Sequence, residues 1–483
     1  MSDPQDRIDG WLNAEVEPLA PRPGTFERIS RRAHRRKVRR ATMSVAGAAI
    51  VIAAAAAAPG IASMLQHPGS GRPEPPVAAG TPSPTSRPAA TGNGNGGVNA
   101  QSSRPVPSPG SSLSPAGSGA PVPPNFQPTS VTFVGQGIGA VIGQARTPGH
   151  CATIYCTSLA GTSDYGTSWY GVNAPVTGAP DGSRGVGQLR FLHTREGWAF
   201  GPELWVTHDG GSTWIREKTY GMRVTDLETA GNRAFALFAN CTGSGADYAA
   251  HCTSFSLYTS VAGTDRWQPV SGPAGRMPLP AGAAGQAASA SLVLTGGPAG
   301  GQGYLLAPSG GLLSGPITGA AWTVASAGVP CQPGAPGPAG QPTGALLAAD
   351  SGQLVLVCTS ATNAAGDSQA KQVVESSDGG AHWSKAAAAP QAGIAASVAT
   401  QAQDHLVMLA TDAGLYRSGD GGLTWQRVRV SPAGAAAGEA GFSYVGMTSL
   451  TNGVALPADP GLHEVFVTTD GGVSWQAHPV SLP

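Results

Sequence analysis

The spacing of apolar and polar positions changes character three times along the chain. Between residues 1 and 40, Ile8, Trp11, Leu12, Val16 and Leu19 recur at near-helical spacing, with Gly10 among them. Pro21 and Pro23 interrupt, and a second helix can start at Thr25 and run through the basic stretch Arg31-Arg32-Ala33-His34-Arg35-Arg36-Lys37-Val38-Arg39-Arg40. From Ala41 to Leu65 the chain is apolar, and no charged residue occurs between Arg40 and Arg72. At 1.5 Å rise per residue that run is long enough for a hydrocarbon core of about 30 Å. A transmembrane helix is therefore predicted over 41–65, behind a cytoplasmic basic tail, 1–40. The rival reading is a cleaved signal peptide, with small residues near Ala57 and Ala58, but signal peptides total about 15–30 residues and here forty precede the apolar run. Arg31-Arg32 resembles a twin-arginine signal without the apolar residue expected soon after it.

Periodicity then disappears. Residues 66–128 hold fifteen Pro, with Arg72, Glu74, Arg87 and Arg104 as their only charges apart from His67. Such a segment cannot bury enough apolar surface to fold. It is predicted to be a disordered linker, spanning roughly 45 Å as a flexible coil.

From 129 to 483 the pattern becomes one of short strand-like runs. They come in pairs: 130–134 and 138–142, 188–192 and 197–200, 234–238 and 255–258, 291–294 and 304–306, 346–348 and 354–357, 394–398 and 406–409, 442–447 and 454–456. After each pair comes a recurring octet, [ST]-x-D-x-G-x-[ST]-W. Its fixed positions are Thr162, Asp164, Gly166, Ser168 and Trp169; Thr207, Asp209, Gly211, Thr213 and Trp214; Ser418, Asp420, Gly422, Thr424 and Trp425; and Thr468, Asp470, Gly472, Ser474 and Trp475. A fifth copy, Ser376, Asp378, Gly380 and Trp383, has His382 for the second hydroxyl. Two decayed copies fill the gap: Thr259 to Trp267, which lost its Asp-Gly core, and Ser314 to Trp322, which kept Gly319. The seven Trp are then 45, 53, 55, 61, 42 and 50 residues apart. Units of that length with four strands each are propeller blades. A single unit cannot bury both faces, so radial stacking is required. The fold predicted is an all-β, seven-bladed β-propeller over 129–483. Blade 1 carries its own N-terminal strands, so no strand need be exchanged between the chain ends.

The octet suits a hairpin loop. Asp and Ser/Thr side chains hold the turn by bonding nearby backbone N–H groups, Gly supplies positive φ, and the Trp ring covers the turn. Each Asp could instead be a calcium ligand or a catalytic acid; a lone Asp in a Gly-rich turn usually bonds its own loop.

The octets resemble the Asp-box, or BNR, repeat of sialidase-like β-propellers. Phe191-Leu192-His193-Thr194-Arg195-Glu196-Gly197-Trp198-Ala199-Phe200-Gly201, followed by Trp205 and the octet at Thr207, is similar to a blade of the photosystem II assembly-factor type. That family implies a non-enzymatic binding scaffold, and its basic partner-binding patch is not evident here. The sialidase side of the superfamily implies an Arg triad gripping a carboxylate, a Tyr–Glu nucleophile and an Asp acid/base near the axis. On the candidate inner strands only Arg190, Asp226 and Glu228 carry charge, and the Arg-Ile-Pro element that opens sialidase domains is absent from blade 1. No catalytic residue is assigned.

Charge and cysteine add compartment. Residues 1–40 carry ten Lys/Arg against six Asp/Glu, and residues 129–483 carry fifteen against twenty-one. The positive-inside rule puts the tail in the cytoplasm and the propeller outside, and the acidic distal part argues against nucleic acid. Cys151, Cys156, Cys241, Cys252, Cys331 and Cys358 all lie beyond the apolar run. Their even number favours disulfides, with 151–156, 241–252 and 331–358 preferred because each pair falls within one blade or its connection. Neither CxxC nor HExxH occurs, so no metal site and no cofactor are expected. The function expected is a monomeric, membrane-anchored extracytoplasmic module that binds a protein or cell-envelope ligand. The alternatives are a sialidase-type glycoside hydrolase and signalling through the tail.

Overall fold

The computed structural model describes residues 120–481, apart from 136, 147–153, 182, 242–251, 279–289, 298–299, 308–309, 320, 332–341, 364–367 and 431–440. The expected tail, membrane helix and most of the linker lie outside the described residues. Among the described residues no helix is long and apolar enough to cross a membrane.

The described chain forms seven antiparallel sheets, each built from consecutive strands. Blade 1 is Gln127–Phe133, Gly139–Ala145, Cys156–Thr162 and Tyr170–Val172; blade 2 is Gln188–Phe191, Gly197–Phe200, Leu204–Thr207 and Ile215–Arg216. Blade 3 is Arg223–Ala230, Arg233–Cys241, Cys252–Val261 and Gln268–Pro269, and blade 4 is Ser291–Gly297, Gly300–Leu306, Leu312–Pro316 and Thr323–Ser326. Blade 5 is Pro342–Asp350, Gln353–Thr362, Gln369–Ser376 and Ala387–Ala388. Blade 6 is Ala395–Gln401, Leu406–Thr411, Gly414–Ser418 and Gln426–Val430; blade 7 is Phe442–Met447, Gly453–Pro457, Glu464–Thr468 and Gln476–Pro479. Blade 3 departs from the four-strand expectation. Its third strand runs ten residues, and Gln268–Pro269 covers only Tyr258 and Thr259, so a fifth strand, Met277–Pro278, pairs with Ser254 and Phe255.

Alternation explains the stacking. The second strand of blade 1, GAVIGQA, is buried along its whole length. Its Val141 and Ala145 pack toward blade 7, while Ala140 and Ile142 pack toward blade 2. A strand buried on both faces reads as a continuous apolar run, and period-2 geometry sends its side chains to opposite seams. Each of the seven seams has one such apolar cluster. The seam that closes the ring joins Val131, Val141 and Ala160 of blade 1 to Val454, Val465 and Val467 of blade 7. It is pinned by the Phe126 N–H donating to Ser481 Oγ at 3.0 Å and by His463 Nδ1–H donating to the Phe126 carbonyl at 2.8 Å. Among the described residues no strand is exchanged between the first and last blades, and apolar packing and these two bonds join them. The residues ahead of the first strand also pack, with Ala120 O accepting the Gly171 N–H at 2.8 Å.

The five octets close on one set of bonds. In blade 6, Ser418 Oγ donates to Asp420 Oδ1 at 2.7 Å and accepts the Gly422 N–H at 2.8 Å. Asp420 then accepts the Thr424 N–H at 2.9 Å and the Thr424 hydroxyl at 2.5 Å. Blades 1, 2 and 7 repeat this around Asp164, Asp209 and Asp470. In blade 5 His382 Nδ1 replaces the hydroxyl, 2.6 Å from Asp378 Oδ2. The octet glycine also touches the preceding blade: Gly166 lies against Val467, Gly211 against Val172, Gly380 against Leu312, Gly422 against Val373 and Gly472 against Met408. Gly319 of the decayed blade 4 copy does the same against Arg233 and Thr259. These six glycines have φ between +80° and +94°.

These bonds carry a pH signature. The Thr424 hydroxyl and N–H hold Asp420 down to about 2, and the His382 N–H and ring do the same for Asp378, from an ordinary value of 3.8. For Asp164, Asp209 and Asp470 burial opposes, yet the bonds from Ser168, Thr213 and Ser474 leave each carboxyl below its ordinary value. A depressed carboxyl contributes stability that is present above the unfolded pKa and is lost as pH falls through the folded one. Acid titration followed by near-ultraviolet circular dichroism of the turn tryptophans should therefore show tertiary structure lost between pH 4 and pH 2, and Asp420→Asn should shift that loss to higher pH.

Candidate functional site

The innermost strands of the seven blades stand side by side around the axis. Two cavities of about 640 Å³ each open between them. One is bounded by blades 7, 1, 2 and 3, with a single residue from blade 4, and the other by blades 2 to 7. They share a wall made of Arg190, Glu228, Gly296, Tyr444, Gly446 and Met447.

That wall concentrates the charge of the channel. Arg190, on the inner strand of blade 2, donates from Nε to Glu228 Oε1 of blade 3 at 3.0 Å. Its Nη1 donates to the Leu189 carbonyl at 2.8 Å. Burial alone would lower the Arg190 pKa, but the Glu228 carboxylate holds it above its ordinary value, so the guanidinium stays charged. Asp226 Oδ2 accepts the Leu292 N–H of blade 4 at 3.0 Å, which ties blade 3 to the next inner strand. Burial first, and then the charge of Glu228, push Asp226 well above the ordinary carboxylate range. Tyr444 of blade 7 lies within the field of the same pair; burial raises its phenol pKa while Arg190 opposes. Asp350 adds a carboxylate to the second cavity, where it accepts the Ala402 N–H at 2.8 Å.

The inner strands inferred from sequence thus bring Arg190, Asp226 and Glu228 together at the axis. Sequence reasoning missed Tyr444 and Asp350. Tyr444 is the one aromatic with a polar tip on the inner strand of blade 7, and Asp350 ends the inner strand of blade 5. Where sialidase-type chemistry implies three arginines, the described channel wall carries one, Arg190, already bonded to a carboxylate. Among the described residues no group of three or more His, Cys, Asp and Glu is arranged to hold a metal ion.

The octet residues lie in the third-to-fourth-strand turns of their blades, outside the walls of both cavities except for Tyr165. Their Asp side chains are occupied by their own turns. Two of the expected disulfides are present, Cys241–Cys252 across the second and third strands of blade 3 and Cys331–Cys358 between the blade 4–5 connection and blade 5. Cys156 is disulfide-bonded, and its expected partner Cys151 lies outside the described residues.

No protein-family model and no curated protein matches the chain. Among solved structures it is similar to YCF48 from Cyanidioschyzon merolae, at 14% identity and a TM-score of 0.39, covering 61% of this chain and 84% of that one. It is similar to an ancestral GH74 enzyme at 11% identity and a TM-score of 0.45, covering 74% of this chain and 47% of that one. It is also similar to Penicillium chrysogenum alpha-L-arabinanase complexed with arabinobiose, at 9% identity and a TM-score of 0.37, covering 73% of this chain and 96% of that one. These are likenesses of fold, too distant to bear on function.

Proposed function

We propose that the chain is a membrane-anchored propeller held outside the cell, that its octets are Asp-boxes with a structural role, and that its axial channel and the face around it bind a protein or cell-envelope ligand without transforming it. One observation carries the non-catalytic reading: the charged side chains at the axis are already held by partners within the protein. Arg190 is bonded to Glu228, and Asp226 to the Leu292 N–H. A lone guanidinium already neutralised by Glu228 leaves an anionic sugar no free cation to grip. The ligand group entering the channel is therefore neutral or cationic. The disulfides and the order of basic tail, apolar run and Pro-rich linker support the placement outside the membrane.

A photo-crosslinking amino acid at Gly135 tests this. Gly135 is exposed, lines the first cavity and has open space where a side chain would stand. Irradiation of the full chain in its own membrane is expected to give one discrete adduct from Gly135 and none from the exposed Lys385 on blade 5. Equal labelling from both positions would count against an axial ligand. The glycoside-hydrolase reading keeps one observation in its favour, Tyr444 and Glu228 on the same wall beside Arg190. Release of fluorophore from a panel of aryl glycosides, abolished by Glu228→Gln, would replace the binding proposal with that one.

A further inference from the structure

The seams between blades are not equivalent at the octet turns. At six of the seven, a glycine three residues before the turn tryptophan lies against the preceding blade. Blade 3 is the exception. Its turn has Thr264 at that position, and Gly263 beside it has no atom within 4 Å of where a side chain would stand. The octet's Asp position is also lost, with Ala262 in its place.

A carboxylate and an imidazole of blade 2 stand in for both. Glu196, 5% exposed in the turn between the first two strands of blade 2, accepts the Gly263 N–H of blade 3 at 2.8 Å. Its other oxygen lies 2.7 Å from His208 Nδ1, in the blade 2 octet. His208 Nε2 lies 3.0 Å from Asp265 Oδ2, back in the blade 3 turn. When both ring nitrogens carry protons, one imidazolium joins the two carboxylates and closes a loop of bonds across the seam. A neutral imidazole can donate to only one of them.

We infer that a proton on His208 latches the turn-side edge of the seam between blades 2 and 3, and that this edge loosens when that proton leaves. The same two blades meet at the axis through Arg190 and Glu228, so the latch braces the channel wall from outside. Four titratable groups meet here: Glu196 and His208 of blade 2, Asp265 of blade 3, and Glu217 just after the last strand of blade 2. Asp209 is occupied by its own turn, and Arg195 and Arg266 are the next charged residues in sequence to Glu196 and Asp265. Burial opposes protonation of His208, but Glu196 and then Asp265 raise its pKa above the ordinary 6.5. Burial and then Asp265 push Glu217 up to about 7.

Both groups have folded pKa values above their unfolded ones, 6.5 for His208 and 4.5 for Glu217, so the stabilisation each contributes declines as pH rises above that value and is lost as pH passes through the folded one. Above neutrality the Glu217 charge adds repulsion against Asp265, in the same direction. Hydrogen exchange read by mass spectrometry on the full chain tests this. The readout is the protection of the peptide over 260–266 divided by that of the peptide over 162–169, the blade 1 octet, which cancels the intrinsic effect of pH. In the wild type this ratio is expected to fall several-fold between pH 6 and pH 8.5, because the group bridging the two carboxylates loses a proton there. In His208→Gln it should be low already at pH 6 and fall much less, with only the ionisation of Glu217 left to act. Asp265→Asn removes one carboxylate but keeps the imidazole on Glu196, and should move the midpoint to lower pH. A wild-type ratio independent of pH, an equal fall in His208→Gln, or an unmoved midpoint in Asp265→Asn would each overturn the inference.

Discussion

Gly422→Ala is expected to destabilise the propeller by about 3 kcal/mol in chemical denaturation, far more than an alanine in a surface turn normally costs. Two terms add. At φ +88° a Cβ crowds its own backbone, which costs about 1–2 kcal/mol. That Cβ would also stand 2.8 Å from Val373 Cγ1 and 3.1 Å from Val373 Cβ. Val373 is buried in the third strand of blade 5 and, being β-branched, cannot swing aside. Blade 6 would have to move off blade 5, and overpacking of this kind costs about 1–3 kcal/mol. Gly221→Ala isolates the first term, because Gly221 has φ +79° and nothing within 4 Å. It should cost only about 1 kcal/mol. Equal losses for the two variants would show that the octet glycine serves backbone conformation alone and that the seam contact contributes nothing.

This second duty of the octet glycine could not be read from the sequence. The octet itself was legible because its bonds are local: Thr or Ser, Asp and Gly lie within five residues, and composition alone specifies the turn. The seven-unit period and nearly all strand runs followed from the same repetition. What each turn touches belongs to the neighbouring blade, tens of residues away, and the pattern within one unit holds no trace of it. The channel wall shows the same divide. Arg190, Asp226 and Glu228 were legible because charge is scarce on the inner strands. Tyr444 was not, because the pairing of Phe442–Met447 with the next strand shifts between Phe442 and Tyr444. Such a bulge breaks the period of two and sends Phe442 and Tyr444 to different neighbours; Phe442 packs in the blade 6–7 seam and Tyr444 toward blade 1. Inner strands of four other blades shift in register in the same way. The latch was invisible for a further reason: the decay of the blade 3 turn reads as loss, and only the fold shows that Glu196 and His208 of blade 2 fill the gap.

Lys371→Met is expected to lower stability by about 3 kcal/mol or more. A lysine on a strand would be assigned to the solvent face. Lys371 is 1% exposed, in the third strand of blade 5. Its ammonium donates to the carbonyls of Gln369 at 2.8 Å, Gln391 at 3.0 Å and Gly393 at 2.7 Å. Burial pushes its pKa down to about 8 while Asp412 opposes, so at neutral pH it keeps all three protons. Those three carbonyls span the strand itself and the whole connection from blade 5 to blade 6. Methionine retains the length of the stem but removes the ammonium from all three carbonyls, leaving Gln391 only the Gln369 N–H at 3.4 Å, and a buried acceptor stripped of its partner costs about 1–3 kcal/mol. Removing the buried charge offsets part of that sum, because the ammonium itself is desolvated in the folded state. The loss should be local before it is global. Hydrogen exchange should rise first in the 389–395 connection and its neighbours in blades 5 and 6, with blades 1 to 3 unchanged at low denaturant. If Lys371→Met were as stable as the wild type, the ammonium would be a tolerated burden rather than the tie that fixes blade 5 to blade 6.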